Sequence, residues 1–583
     1  MVARSGRRGT GRTLRRCGAM AVVVLAMLAS SPRVASAIRF GQNDAVELRG
    51  RFYTQYTVAT EESQEYTLPE INPGDMKQWR NFYNPELEVD FRKLTGWRGF
   101  FTDLSGRLAI WGFYDGIYDF GPERYRQNLN LTAQPGVAAA FYSEGHTVEE
   151  ALNNTGRRRD GREFYGRRTR VNEAYLNFAK DAFFLRVGRQ AISWGEADTI
   201  GLLDANNPFD VLLIPGVQYD LDEARIPLWT LRTTYELFSS WGPFSSGFVD
   251  AYWVPGWLDV TTGYLNIQGV SPYSQPPPLQ GPFIQVFDKL PRYETGNSRY
   301  GFKFQTVVDR DYNLSMWFYR TFQQTPVPTI KGISAVNPDG PGQYVTTTLN
   351  RGLTNVIGTA LSWYSETLNS IVRTEIELFN AEPNFIPYQG IGAPVNSGFT
   401  QRGSYETANV MRGEFGLDHN FFIPMLNPSS SFLGIASVVW TANLSETSDR
   451  DYYTPIIKPS AIDRELAGGP AAGQIANCGS KKAPTPKGCD YVNQDPFEAF
   501  FQTTVRSDFA GGTIQPQLTT VATVRGALMF APSVLYRLTD SFLFDVKYVN
   551  THTFGSGNNG YTPGVGLLRD RDQFWFRATY QLN

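Results

Sequence analysis

The sequence predicts an all-β protein, one transmembrane antiparallel β-barrel of about sixteen strands (range 14–18), with short periplasmic turns and long extracellular loops. Three observations predict it. The 583 residues are rich in strand and turn formers, with Phe 40, Tyr 30 and Gly 55. Apolar and polar residues alternate with a period of two in segment after segment beyond residue 37. The connections between these segments alternate long and short, as in barrels that turn tightly on one side of a membrane and loop out on the other. No stretch beyond residue 37 approaches the ~18 unbroken apolar residues of a membrane helix, which excludes a polytopic helical protein.

Residues 1–37 read as an export signal. Arg4, Arg7, Arg8, Arg12, Arg15 and Arg16 form its basic head, the apolar run from Gly18 to Ala29 follows, and Ala35-Ser36-Ala37 is the small-residue cleavage site. Cleavage there leaves Ile38 first. Seven of the 54 Lys and Arg residues lie in the signal and none of the 56 acids, so 47 basic residues remain against 56 acidic ones, a net charge of −9. An acidic chain argues against nucleic acid as a partner.

Residues 38–583 read as the barrel. In Glu47–Val58, Leu48, Phe52, Tyr56 and Val58 fall on one face, while Glu47, Arg49, Arg51 and Gln55 fall on the other. Leu87, Val89 and Phe91 oppose Glu86, Glu88 and Asp90 in the next segment, and Val372, Ile376 and Leu378 oppose Arg373, Glu375 and Glu377. Segments of this kind begin near residues 47, 85, 105, 169, 183, 230, 248, 298, 312, 355, 371, 408, 432, 524, 541 and 572. The largest loops between them cover about 121–168, 191–229, 257–297 and 443–523. A soluble sandwich also alternates, but its connections would not sort by length. A propeller or solenoid would repeat at a fixed period, and none is visible. In a barrel the charged face lines a wet lumen, and its charges either pair into ladders or set up a transverse field across the pore.

One region is distinctive. Arg186 to Glu196 reads Arg-Val-Gly-Arg-Gln-Ala-Ile-Ser-Trp-Gly-Glu, Asn206 to Asp210 reads Asn-Asn-Pro-Phe-Asp, and Pro215-Gly216 and Asp222 to Pro227 follow. This region resembles the Gram-negative family known as domain of unknown function (DUF) 1302. The resemblance is strong over about 170–260 and diffuse elsewhere, and the chain ends in Asn583 where barrel assembly signals commonly end in Phe. It implies an outer-membrane barrel. It also raises the idea of a route for lipids and hydrophobic compounds, working with periplasmic or inner-membrane partners, beside the plainer reading of a channel for small solutes.

The candidate lumen and constriction residues are Arg157, Arg158, Arg159, Arg162, Arg189, Trp194, Glu196, Asp210, Glu223 and Arg225. The four clustered arginines, continued by Arg167, Arg168 and Arg170, either form an anion-attracting mouth, meet the phosphates of lipopolysaccharide, or make a solvated loop. Trp194-Gly195-Glu196 is either a ligand platform or a pin that holds the loop in the barrel, with Arg189 and Glu196 as a candidate pair. Cys478 and Cys489 lie in a polar segment of an exported chain, which predicts a local disulfide. The three His, at 146, 419 and 552, stand apart, and no nucleophile, metal or phosphate-cradling motif occurs. The sequence therefore predicts no enzyme, no cofactor and no metal, with a barrel enzyme acting on lipids as the least favoured alternative. Outer-membrane lipid and lipopolysaccharide are the expected surroundings.

Overall fold

The computed structural model describes residues 37–62, 71–97, 99–122, 166–195, 203–210, 221–263, 284–288, 291–324, 327–334, 344–384, 406–445, 452–457, 489–494, 497–524, 526–554, 565, 568 and 571–582. Eighteen strands follow one another round a single sheet. They are β1 (Val46–Ala59), β2 (Met76–Asp90), β3 (Asp103–Asp115), β4 (Arg167–Lys180), β5 (Phe183–Gln190) and β6 (Leu228–Trp241). Next come β7 (Phe244–Val254), β8 (Arg299–Val308), β9 (Tyr312–Phe322), β10 (Leu353–Ser365), β11 (Ser370–Asn384) and β12 (Glu406–Phe421). The last six are β13 (Phe432–Asn443), β14 (Phe497–Ser507), β15 (Ile514–Thr523), β16 (Ala527–Arg537), β17 (Phe542–Thr553) and β18 (Gln573–Leu582). Each is antiparallel to the next, and β18 pairs back onto β1 from Gly50↔Leu582 to Ala59↔Gln573, so the sheet closes without an edge. The short strand Ile38–Phe40 pairs with β1 beside the closure.

Local chemistry explains the tight turns at the end where the chain enters the barrel. Asp181, Gly242, Asp309 and Asn369 take the left-handed backbone that reverses a hairpin within a few residues. The long connections lie at the other end. The turn near Gly526, between β15 and β16, is a short exception there.

The polarity of the wall is inverted relative to a water-soluble barrel. Phe52, Tyr56, Leu231, Phe302, Ile376 and Phe576 stand exposed on the outside, while Arg80, Asp250, Arg299, Glu375, Glu377 and Glu414 are buried within. No helix among the described residues is long and apolar enough to cross a membrane. A continuous outward apolar band on closed strands is the surface that lipid, and not water, would cover. A charge placed on that band is therefore costly. Ile376→Arg on the outer face of β11 is expected to destabilise the barrel by about 2–4 kcal/mol, whereas Gln502→Arg on the inner face of β14 should stay nearly neutral. Urea titration of vesicle-inserted protein, read by heat-modifiable gel migration, checks both.

The strand number lies at the top of the expected range of 14–18. The expected 443–523 loop contains the hairpin of β14 and β15, which makes eighteen strands where about sixteen are expected. This pair is Thr- and Gln-rich on both faces, and Pro516 lies inside β15, so composition and a strand-breaking residue conceal it. Also, β2 begins at Met76 rather than near 85, because Lys77 to Tyr83 mixes polar and aromatic residues on both faces. The expected Cys478–Cys489 disulfide cannot be placed from Cys489 by itself, because Cys478 lies outside the described residues.

Candidate functional site

The described parts of the connection between β5 and β6 fold into the lumen. These parts, residues 191–195, 203–210 and 221–227, contact the inner faces of strands around half the barrel. Trp194 is buried, donates from Nε1 to Asp250 Oδ2 on β7 at 2.9 Å, and packs on Tyr252 of β7 and Tyr319 of β9 at centroid distances of 5.1 and 6.2 Å. Asp250 is held in turn by Arg232 of β6 at 2.7 Å. Next in the chain, Gly195 has φ 98°, and a Cβ there would lie 2.7 Å from the carboxylate of Glu375 on β11, so only glycine fits this approach to the far wall. Gly301 of β8 makes the matching space, since a Cβ there would meet the rings of Tyr252 at 2.4 Å and Trp194 at 2.8 Å.

The middle of the segment is hydrogen-bonded as a buried loop must be. Tyr252 Oη donates to Asn206 Oδ1 at 2.8 Å, and Tyr319 Oη lies 3.0 Å from the Leu203 carbonyl. Asn207 accepts from the Ile192 backbone N–H at 2.7 Å and donates to the Ile226 carbonyl at 2.8 Å, which ties both ends of the loop together. Gln324, just past β9, donates to the carbonyls of Ala205 and Asn207. Phe209 and Arg225 form a bridge, with Asp210 N donating to Ala224 O and Ile226 N to Pro208 O.

Charged contacts fix the segment to the opposite wall. Arg51 Nη2 and Tyr53 Oη of β1 reach Glu223 at 2.6 and 2.9 Å. Arg168 and Arg170 of β4 converge on Asp210, whose carboxylate is fully buried. Within the segment Arg225 pairs with Asp204 at 2.8 Å, and burial raises the Asp204 carboxyl above its ordinary range while Arg225 opposes the rise. β1 and β10 are diametrically opposed in an eighteen-stranded ring. A segment that touches β1, β4, β7, β9 and β11 therefore crosses the lumen.

The wall behind Asp210 is unusual in its stacking. Tyr53, Phe82, Trp111 and Phe113 form a buried aromatic row on β1, β2 and β3. Arg170 lies 3.7 Å over Trp111, Arg80 lies 4.7 Å over Phe113, and Arg168 lies within 5.5 Å of both rings. Toward the short-turn end the lumen charges pair into a ladder: Arg107 meets Glu86 at 2.8 Å, Glu88 at 3.2 Å and Glu173 at 3.2 Å. On the far wall Glu377 accepts from Trp317 Nε1 at 2.7 Å, and Arg412 pairs with Glu382. At the level of Asp210 the near wall presents Arg51, Arg80, Arg168 and Arg170, with Glu86, Glu88 and Glu173 interleaved toward the short-turn end, while Glu375, Glu377 and Glu414 are buried on β11 and β12.

Of the residues expected at a constriction, Trp194, Asp210, Glu223 and Arg225 are brought together in the lumen. Trp194 is buried against β7 and β9, hydrogen-bonded to Asp250 and packed on Tyr252 and Tyr319. Arg189 is not there: it is in register with Ala174 and with Trp229, which is exposed on the outer face, and its Nε donates to the Asn172 carbonyl. One residue of parity decides this, because Arg186 and Gln190 take the inward positions on β5. Arg157, Arg158, Arg159, Arg162 and Glu196 lie outside the described residues, and with Glu196 goes the Arg189–Glu196 pair. Sequence reading missed Asp204, Asp250, Tyr252 and Tyr319. A lone acid in the otherwise apolar Phe248–Val254 stretch was the available signal for Asp250.

Trp194→Ala removes the Asp250 hydrogen bond and the packing on two tyrosines, a loss of about 3–5 kcal/mol in the anchoring of the loop. The expected result is faster protease cleavage within 191–227 in micelles, with unchanged heat-modifiable migration of the barrel.

A family model described as "Protein of unknown function (DUF1302)" matches residues 16–582 of the chain. No curated protein matches its sequence. Among solved structures, the chain is similar to OccAB1 of Acinetobacter baumannii, with 9% identity and a TM-score of 0.41 over 94% of this chain and 99% of that one. It is similar to OccAB4 of the same organism, with 8% identity and a TM-score of 0.42 over 93% and 98%. It is also similar to the outer membrane protein opdK of Pseudomonas aeruginosa, with 9% identity and a TM-score of 0.39 over 93% and 100%.

Proposed function

We propose, starting from the fact that this chain belongs to the DUF1302 family, that it is a diffusion channel of a Gram-negative outer membrane, for small solutes and narrowed by its own β5–β6 segment. One observation carries the reading. The strand number is that of barrels wide enough for an aqueous channel, and the described parts of the β5–β6 segment bridge opposite walls of that lumen. Arg51, Arg168 and Arg170 beside the segment, facing Glu375, Glu377 and Glu414 of β11 and β12, support a local transverse field that would orient polar solutes passing the narrowing.

A second reading, passage of hydrophobic compounds with periplasmic partners, is favoured by an apolar patch on the inner wall. Val521, Met529, Ala531 and Val549 cluster there with Val565 from the β17–β18 connection. Eighteen paired neighbours leave no lateral seam in the strands, so on either reading the solute goes through the lumen.

The test is refolding of the chain from Ile38 onward, with heat-modifiable migration as proof of the barrel, followed by planar-bilayer recording. Discrete conductance steps support the channel. Silent bilayers from properly folded protein, together with co-purifying lipid, would favour the hydrophobic route.

A further inference from the structure

Asp210 sits where a ligand would. Two guanidiniums on the inner face of β4, Arg168 and Arg170, converge on its carboxylate; both lie over Trp111, and Arg168 also lies over Phe113. The two arginines alternate at i and i+2, so β4 presents them as a rigid pair on the lumen face. Such a pair with a stacked aromatic backing is suited to carboxylates and other planar oxyanions. Asp210 belongs to a long loop and reaches this pair only because the loop enters the lumen.

We propose that the Arg168–Arg170 pair is a carboxylate-binding site of the barrel wall, which the segment's own Asp210 fills in the closed protein. A solute carboxylate entering the lumen takes the place of Asp210 and releases the segment from β4. The proposal rests on the channel reading and adds to it a ligand class and a way of opening.

The exchange replaces one carboxylate with another, so the net charge at the arginines does not change and the desolvation of the site is largely conserved. Asp210 has the advantage of being tethered, at an effective concentration on the order of millimolar. A free carboxylate must therefore reach a comparable concentration to compete. The Phe209–Arg225 bridge and the Asp210 N to Ala224 O hydrogen bond make residues 208–210 and 223–226 move as one piece. After loss of the β4 contact, Glu223 still holds that piece to the wall through Arg51 and Tyr53 of β1. The Trp194 anchor on β7 and β9 stays in place, so the segment swings and does not leave the barrel.

The experiment compares three forms of the full barrel in planar bilayers at constant ionic strength: the natural chain, Asp210→Asn, and a chain in which residues 192–226 are replaced by a short Gly-Ser linker. The probe is succinate, with uncharged succinamide as control. The natural chain should show a several-fold increase in open time with millimolar succinate and none with succinamide. Asp210→Asn should be open without succinate and insensitive to it, and the linker form should be open throughout. A natural chain indifferent to succinate beside a conducting linker form overturns the carboxylate latch and leaves the channel standing. A linker form that is silent although heat-modifiable removes the channel reading and the latch with it.

Discussion

Replacing residues 192–226 by a short linker is expected to raise single-channel conductance by about an order of magnitude, because an eighteen-stranded ring without internal loops encloses a broad aqueous passage. The segment is the structure's bridge between opposite walls: Glu223 is on β1, Asp210 on β4, Trp194 on β7 and β9, and Gly195 against Glu375 of β11. Removing it takes away the backbone that crosses the lumen together with these side chains. The barrel itself should survive, since the ladder from β1 to β18 and the tight hairpin turns do not depend on the segment. Exposed to water, Tyr252, Tyr319 and Trp317 would lose apolar burial, and a moderate fall in the urea midpoint should accompany the gain in conductance. Unchanged conductance in a folded linker form would mean that the narrowing lies elsewhere.

The second large effect concerns the connection after β7. Arg299 at the start of β8 and Asp259 in the preceding loop are each 1% exposed and pair at 3.2 Å. Arg299 also donates to the carbonyls of Thr261 and Asp259, at 2.9 and 3.0 Å. Asp259 accepts from the backbone N–H groups of Trp229 and Thr261. The pair therefore clips the loop to two neighbouring parts of the wall. Arg299→Met leaves a buried carboxylate without its guanidinium and should cost about 3–5 kcal/mol. Adding Asp259→Leu removes that stranded charge and should restore part of the loss. Recovery stays partial, because two backbone N–H groups then lack their acceptor. A cycle of the two single variants and the double, by urea titration, measures the coupling. Additive losses with no recovery would show that the charges do not act as a pair.

Much of the wall was legible in the sequence. Period-two alternation correctly placed Arg51, Glu86, Arg107, Glu375 and Glu377 on the inside, and the contrast between tight turns and long loops marked the two ends. The β14–β15 hairpin escaped because threonine is compatible with either face, and Pro516 reads as a strand breaker although its ring occupies a paired strand opposite Val534. Arg189 was misplaced for a simpler reason. At a strand end a single residue of register moves a side chain from lumen to lipid, and the Gly188 backbone, at φ 138°, conceals the parity.

By itself the sequence determined that the chain forms strands with one oily and one charged face, since that pattern needs only neighbours two residues apart. Only the tertiary structure decided that the β5–β6 segment turns inward. That choice depends on Trp194 finding Asp250 and Tyr319, on Asp210 finding Arg168, and on Glu223 finding Arg51, contacts between residues 42 to 172 positions apart in the chain. Such pairings arise when the cylinder closes and brings distant strands around one enclosed space.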